Sequence, residues 1–360
     1  MTTEIGLRLR SLVVLPAAVA LVWPVVASAD ELRLLTWGGY APDEVVQAFE
    51  KETGIKVLVT LSNNEDMISK LRATGGAGFD LAQPSQDRIT SAQQEFNIYK
   101  PIEFTKINQA QIIDSMLAAT RKNTAIGDEV FGVPHIWGTS GLVVNRSVAE
   151  RVKDWTDLCG PDLVGKVSYR MRRPILIGMA FAMGENPFEA YADVPRYERM
   201  MEKVGETLVA CKPNVKAYWS GGDELINLVS SGEVVAAEGW DAGGWKLHDE
   251  KPEISFVAPA SGALGWIDTF ALPRRGKNEE AAYKWINFVM KPEIAAQITR
   301  SAGNFSASKG AEAFVDERLK ANYQASFDQA AIDNIRWYPP VPAGLEAIEG
   351  RILDRVQAAR

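Results

Sequence analysis

Histidine and cysteine are almost missing from this chain, with two of each in 360 residues. His135 and His248 lie far apart, and no H-E-x-x-H, C-x-x-C, Walker A or G-x-S-x-G pattern occurs. Gly138-Thr139-Ser140-Gly141 lacks the spacing of a nucleophile elbow. Two His and two Cys without close spacing make a poor metal set, so no metal and no cofactor is expected. Positive charge is also short: 39 Lys and Arg face 46 Asp and Glu, for a formal net charge of −7. A nucleic-acid binder normally shows a basic face, and anionic lipid attracts basic segments, so neither partner is expected. There is no low-complexity run and no repeat at a solenoid period. A secreted enzyme working through paired carboxylates is the alternative class. With 46 acidic residues, such pairs arise anywhere and carry little specificity.

Only the N-terminus holds a long uncharged run. Arg8 and Arg10 precede it, residues 11–29 carry no charge, and Ala27-Ser28-Ala29 is a small-residue cleavage pattern before Asp30 and Glu31. This reads as a cleaved export signal at 1–29, with a membrane anchor as the alternative. Pro16 and Pro24 interrupt the run, and no Cys lies near the junction to take a lipid. Export places the chain in an oxidising compartment. Cys159 and Cys211 then read as one disulfide, the alternative being two buried thiols.

The mature part alternates strand and helix. Residues 32–36, 55–61 and 79–83 read as strands, with helices at 42–52 and 65–74 between them. That β-α-β-α-β order implies a parallel sheet with right-handed crossovers. Ligands of open parallel sheets lie beyond the carboxyl ends of the strands. Those ends carry Trp37-Gly38-Gly39-Tyr40 and Pro84-Ser85-Gln86-Asp87. A tight turn around Gly38-Gly39 is the plainer reading of the first loop. Beyond Pro134 the pattern restarts, with strands at 142–145, 166–170, 215–219 and 234–238, and helices at 174–183 and 223–231. The segment 270–272 then leads into an amphipathic helix at 279–290. Ten tryptophans are many for this length. Indole faces suit cations and alkyl amines, although core packing is the commoner use.

Five blocks, in order, resemble the spermidine/putrescine-binding proteins of ABC importers. They are "LRLLTWGGYAPDEVVQAFEKETGIKV", "SNNEDMISKLRATGGAGFDLAQPS", "VPHIWGTSGLVVN", "GALGWIDTFALP" and "KNEEAAYKWINFVMKPEIAAQI". The resemblance implies a two-lobe α/β fold of the periplasmic binding type (type II-like). Each lobe would be a mainly parallel sheet flanked by helices, with a ligand cleft between them. It places lobe 1 at 30–137 and 265–303, and lobe 2 at 138–264 with the tail at 304–360. It implies a periplasmic monomer rather than an enzyme, handing a small amine to membrane permease and ATPase subunits.

Carried over position by position, the resemblance assigns ligand contacts to Trp37, Tyr40, Ser85, Trp240, Trp266 and Asp268. Indoles would line the aliphatic part, and the carboxylate would pair with an ammonium. Two departures stand out. Gly39 falls where the family often has an acid, and arginine-rich Tyr169-Arg170-Met171-Arg172-Arg173-Pro174 falls where it has acids around a helix start. Asp87, Glu238 and Asp241 are the candidates to restore negative charge. Alternatively Arg172, beside a helix N-terminus, holds the acidic end of a zwitterionic, amino-acid-like or opine-like ligand whose amine sits on Asp268. A solvated basic strand end is the third possibility for this run.

Overall fold

The computed structural model describes residues 1–3 and 31–359. The export signal expected at 1–29 therefore lies, past its first three residues, outside the described residues. No helix among the described residues is long and apolar enough to cross a membrane.

The chain opens with β1 (Glu31–Thr36), α1 (Asp43–Thr53), β2 (Lys56–Leu61), α2 (Asn64–Thr74) and β3 (Leu81–Ala82). Local chemistry sets these limits. Asp43 and Glu44 meet the positive end of α1, Val45 and Phe49 face the core, and Gly54 ends the helix at φ 72°. The Asn63 side chain caps α2 by accepting from the Asp66 N–H at 3.0 Å. The sheet order is β2-β1-β3, all parallel, with Leu34 opposite Leu81.

A second, eight-stranded sheet is organised around one long strand, β4 (Val133–Asn145). It is followed by β5 (Val167–Tyr169), α3 (Arg173–Ala182), α4 (Val194–Ala210), β6 (Val215–Tyr218), β7 (Ala236–Trp240) and α5 (Asp241–Glu250). Then come β8 (Ile254–Val257), β9 (Leu264–Phe270), α6 (Glu279–Val289), α7 (Pro292–Ala302), β10 (Phe305–Ser306), β11 (Arg336–Trp337) and α8 (Leu345–Ala358). Strand order is β11-β9-β4-β7-β5-β6, with β8 and β10 also on β4. β7, β5 and β6 are mutually parallel, whereas β4 runs antiparallel to β7, β8, β9 and β10. The second sheet is thus mixed where the sequence pattern suggested a mainly parallel one.

Two groups of buried side chains form the two lobes. One includes Leu32, Leu34, Phe49, Phe270, Trp285 and Ile298. The other includes Leu142, Trp155, Ile175, Tyr197, Ile352 and Val356. β4 and β9 run from one group into the other, and Trp266 packs against both. Cys159 and Cys211 are joined as a disulfide in the second group's lobe, with Cα atoms 4.9 Å apart.

β4 differs most from its sequence reading. The pattern gives a strand only at 142–145, but the structure carries it through Gly138-Thr139-Ser140-Gly141. Those glycines are packing requirements rather than a loop. A Cβ on Gly138 would lie 2.6 Å from Trp266 Cζ2, and one on Gly141 would lie 2.6 Å from Phe256 Cζ.

Candidate functional site

The carboxyl ends of β1 and β3 and the middle of β9 meet at one buried carboxylate. Asp268 is 4% exposed. Its Oδ2 accepts from Tyr40 Oη at 2.6 Å and its Oδ1 from Ser85 Oγ at 2.5 Å. An isolated β-bridge between Ser85 and Asp268 fixes that second contact through the backbone. Asn64 Oδ1 in turn accepts from the Ser85 N–H at 2.9 Å. A carboxylate offers about four acceptor sites, and these two donors take two. No Lys or Arg pairs with Asp268 among the described residues. Burial, against the two hydroxyl donors, pushes its carboxyl up to about 7.

Of the expected aromatic contacts, Tyr40 touches this carboxylate directly. Trp37 is anchored by its Nε1, which donates to the Gln83 carbonyl at 2.7 Å. Tyr40 stands edge-on to His135 with centroids 5.5 Å apart. Trp266 lies two residues before Asp268 on β9, half-buried, with a buried Nε1 that has no partner. Trp240 ends β7, on the opposite lobe, and is half-buried. Gly39 takes φ 83°, and a Cβ there would lie 2.9 Å from Ala302 Cα, so no side chain fits at this position.

The other acidic candidates are committed elsewhere. Asp87 is buried, 3.3 Å from Arg88 and 3.9 Å from Arg173. Glu238 is wholly buried and accepts from the Arg170 N–H at 2.9 Å and from its guanidinium at 3.2 Å. Asp241 accepts from the Thr139 N–H and hydroxyl on one oxygen, and from the Ala242 N–H and Asn304 amide on the other. These four donors use its acceptor capacity, and burial still raises its carboxyl to about 6. Asp241 therefore ties β4, α5 and the segment before β10 together at the lobe crossing.

Arg172 was expected to hold the acidic end of a ligand. Arg172 is exposed, precedes α3 as its extended N-cap residue, and forms no ion pair among the described residues. The strand β5 ends at Tyr169, before Arg172. The buried guanidinium is that of Arg173, whose Nε donates to Glu349 Oε2 at 2.9 Å. Tyr197 Oη donates to the other oxygen of Glu349 at 2.5 Å. Arg173, Glu349 and Trp219 were not singled out by sequence. Arg173 had a signal, since it sits one residue before a Pro that opens a helix; Glu349 lies in a C-terminal helix with no such mark. Tyr338, unassigned from sequence, is buried against Phe188, with centroids 5.5 Å apart and a hydroxyl lacking a partner.

His135 is buried, contacts Gln83 Nε2 at 2.6 Å, and is held down to about 3 by burial. His248 Nδ1 contacts the Ile254 carbonyl at 2.6 Å.

Two α/β lobes joined by crossing strands, with a buried carboxylate on one of those strands, define a two-lobe solute-binding protein. The chain belongs to the family described as bacterial extracellular solute-binding protein, whose pattern matches residues 44–326. It is 25% identical over 320 residues to the putrescine-binding periplasmic protein PotF of Escherichia coli K12, covering 82% of this chain and 83% of that one. It is 29% identical over 282 residues to the spermidine/putrescine-binding periplasmic protein 1 of Haemophilus influenzae, covering 77% and 75%. Among solved structures, the TpPotD lipoprotein of Treponema pallidum superposes with a TM-score of 0.76 at 23% identity, covering 91% of this chain and 99% of that one. That last likeness is one of fold.

Proposed function

We propose that this chain is the periplasmic solute-binding component of an ABC importer and that it captures a small amine-bearing solute between its lobes. One observation carries the reading. Asp268 is a buried carboxylate with two hydroxyl donors, no cationic partner among the described residues, and unused acceptor capacity. An uncompensated buried charge is costly, and a ligand ammonium supplies the missing partner. Trp37 and Trp266 provide apolar, π-rich walls for the adjoining methylenes. In this reading Trp240, which ends β7 on the other lobe, is the contact that lets a bound solute touch both halves. Contacts that exist only when the lobes are together favour the closed state.

In this reading the signal is removed after Ala29. The mature protein works as a monomer without a cofactor, does not turn its ligand over, and presents its closed form to permease and ATPase subunits. The lobe limits near 137, 264 and 303 belong to the same reading. The names of the curated relatives support it. The test is calorimetric titration of mature, ligand-stripped protein with primary amines, repeated on Asp268→Asn. Loss of a charge-assisted hydrogen bond weakens binding by about ten- to a hundredfold. Unchanged affinity in Asp268→Asn would remove the carboxylate from the site.

A further inference from the structure

The carboxyl ends of β5, β6 and β7 lie side by side in the second lobe, and an open parallel sheet binds its ligand beyond such ends. Three groups gather there. Glu238 is a wholly buried carboxylate on β7. Trp219 follows β6 and donates its Nε1 to the Glu238 carbonyl at 3.0 Å. Trp240 ends β7, and its ring meets that of Trp219 edge to face with centroids 4.9 Å apart. A carboxylate flanked by two indoles is a complete cage for an organic cation.

That cage is full. The guanidinium carbon of Arg170, just past β5, lies 4.1 Å from the Trp240 ring centroid and 4.7 Å from that of Trp219. Its terminal nitrogen donates to Glu238 Oε1 at 3.2 Å and its backbone N–H to Oε2 at 2.9 Å. No other carboxylate described on this lobe's cleft side is open to a second cation: Glu349 is held by Arg173 and Tyr197, and Asp241 by four donors. One edge of Arg170 is left over. Its Nε is buried with no partner among the described residues, its side chain is 13% exposed, and guanidinium nitrogens only donate.

We propose that Arg170 is a specificity-determining residue: it occupies from within the protein the place of a second ammonium, so the solute anchored at Asp268 carries one cationic end and an oxygen acceptor at the other. This rests on the amine reading of Asp268. It separates ligands of equal length by their far ends. A diamine brings its second charge against a fixed guanidinium, and like charges brought together are selected against. An ω-amino acid brings an acceptor to a group that only donates.

The probes are putrescine, γ-aminobutyrate and n-butylamine, which share a four-carbon chain and one amine. Each is titrated calorimetrically into wild type, Arg170→Ala, Arg170→Gln and Asp268→Asn. Wild type binds γ-aminobutyrate at least about tenfold more tightly than putrescine, with n-butylamine weaker than γ-aminobutyrate. Arg170→Ala empties the cage, raises putrescine affinity by about tenfold or more and weakens γ-aminobutyrate. Arg170→Gln keeps most of the volume and shifts the ratio the same way, which covers the case where the alanine variant folds poorly. Wild type preferring putrescine, or both Arg170 variants leaving the ratio unchanged, overturns the proposal while leaving the amine reading intact. Absence of binding by all three amines, or affinities unaltered in Asp268→Asn, overturns the amine reading itself.

Discussion

At the scale of single residues, the site is defined by which charges are already spent. Glu238, Glu349 and Asp241 each have protein partners; Asp268 has only two hydroxyl groups. Its carboxyl sits near 7 because burial disfavours the ion, whereas an unfolded aspartate titrates near 4. Between those values the folded protein holds a proton that the unfolded chain has released. Stability of the ligand-free protein therefore falls as pH rises from about 4 to about 7 through this group. Asp241, raised to about 6 by burial, adds a contribution of the same sign over a narrower window. Thermal unfolding of wild type and Asp268→Asn at pH 5 and pH 8 isolates the first: the variant gains Tm relative to wild type at pH 8 and loses that advantage at pH 5. Equal differences at both pH values would show that Asp268 is not the protonated group. Amine binding has the opposite slope, since only the ionised form pairs with an ammonium, and affinity increases up to about pH 7.

At the scale of elements, legibility followed local pattern. Trp37, Tyr40 and Ser85 were readable because each sits just past a short apolar strand that a helix follows. Asp268 was readable through the Trp-x-Asp spacing of one block. β4 was not readable in full, because its middle is small and polar where it crosses between lobes. Glycine there serves neighbours distant in sequence: Trp266 lies over Gly138 and Phe256 over Gly141. The strand β5 ends at Tyr169, so the two-residue period of a strand does not extend to Arg172. The same packing gives a prediction. Gly138→Ala puts a Cβ 2.5 Å from Asn304 Nδ2 and 2.6 Å from Trp266, so the indole must move. Overpacking of this kind costs about 1–3 kcal/mol of stability. Solute affinity falls with it, because Trp266 forms a wall of the site. Gly350→Ala, on the C-terminal helix with open space around its Cβ position, serves as the control: it leaves affinity unchanged and, as an alanine in a helix interior, raises stability by about 0.5–1 kcal/mol.

At the scale of the whole molecule, the lobes touch through charge as well as through the site. Asp87 and Arg88 belong to the first lobe; Arg173, Glu346 and Glu349 belong to the second. Arg88 pairs with Glu346 across the cleft, Asp87 lies 3.9 Å from Arg173, and the Asp87 carbonyl accepts from the Val341 N–H at 3.0 Å. These contacts exist only with the lobes together, so they favour closure whether or not solute is present. The apparent affinity of a closing protein scales with the fraction already closed. Glu346 is about half exposed, so its pair with Arg88 contributes only about 0.2–1 kcal/mol. Arg88→Ala therefore weakens solute binding by less than about fivefold, far less than Asp268→Asn. Raising salt weakens wild type in the same direction and Arg88→Ala less, because an exposed pair is screened. A double-mutant cycle with Glu346→Ala reads the coupling directly. Additive losses would mean that the pair does not help hold the lobes together; a non-additive cycle, with small-angle scattering that reports a more open ligand-free Arg88→Ala, would place part of the closing free energy in the lobes themselves.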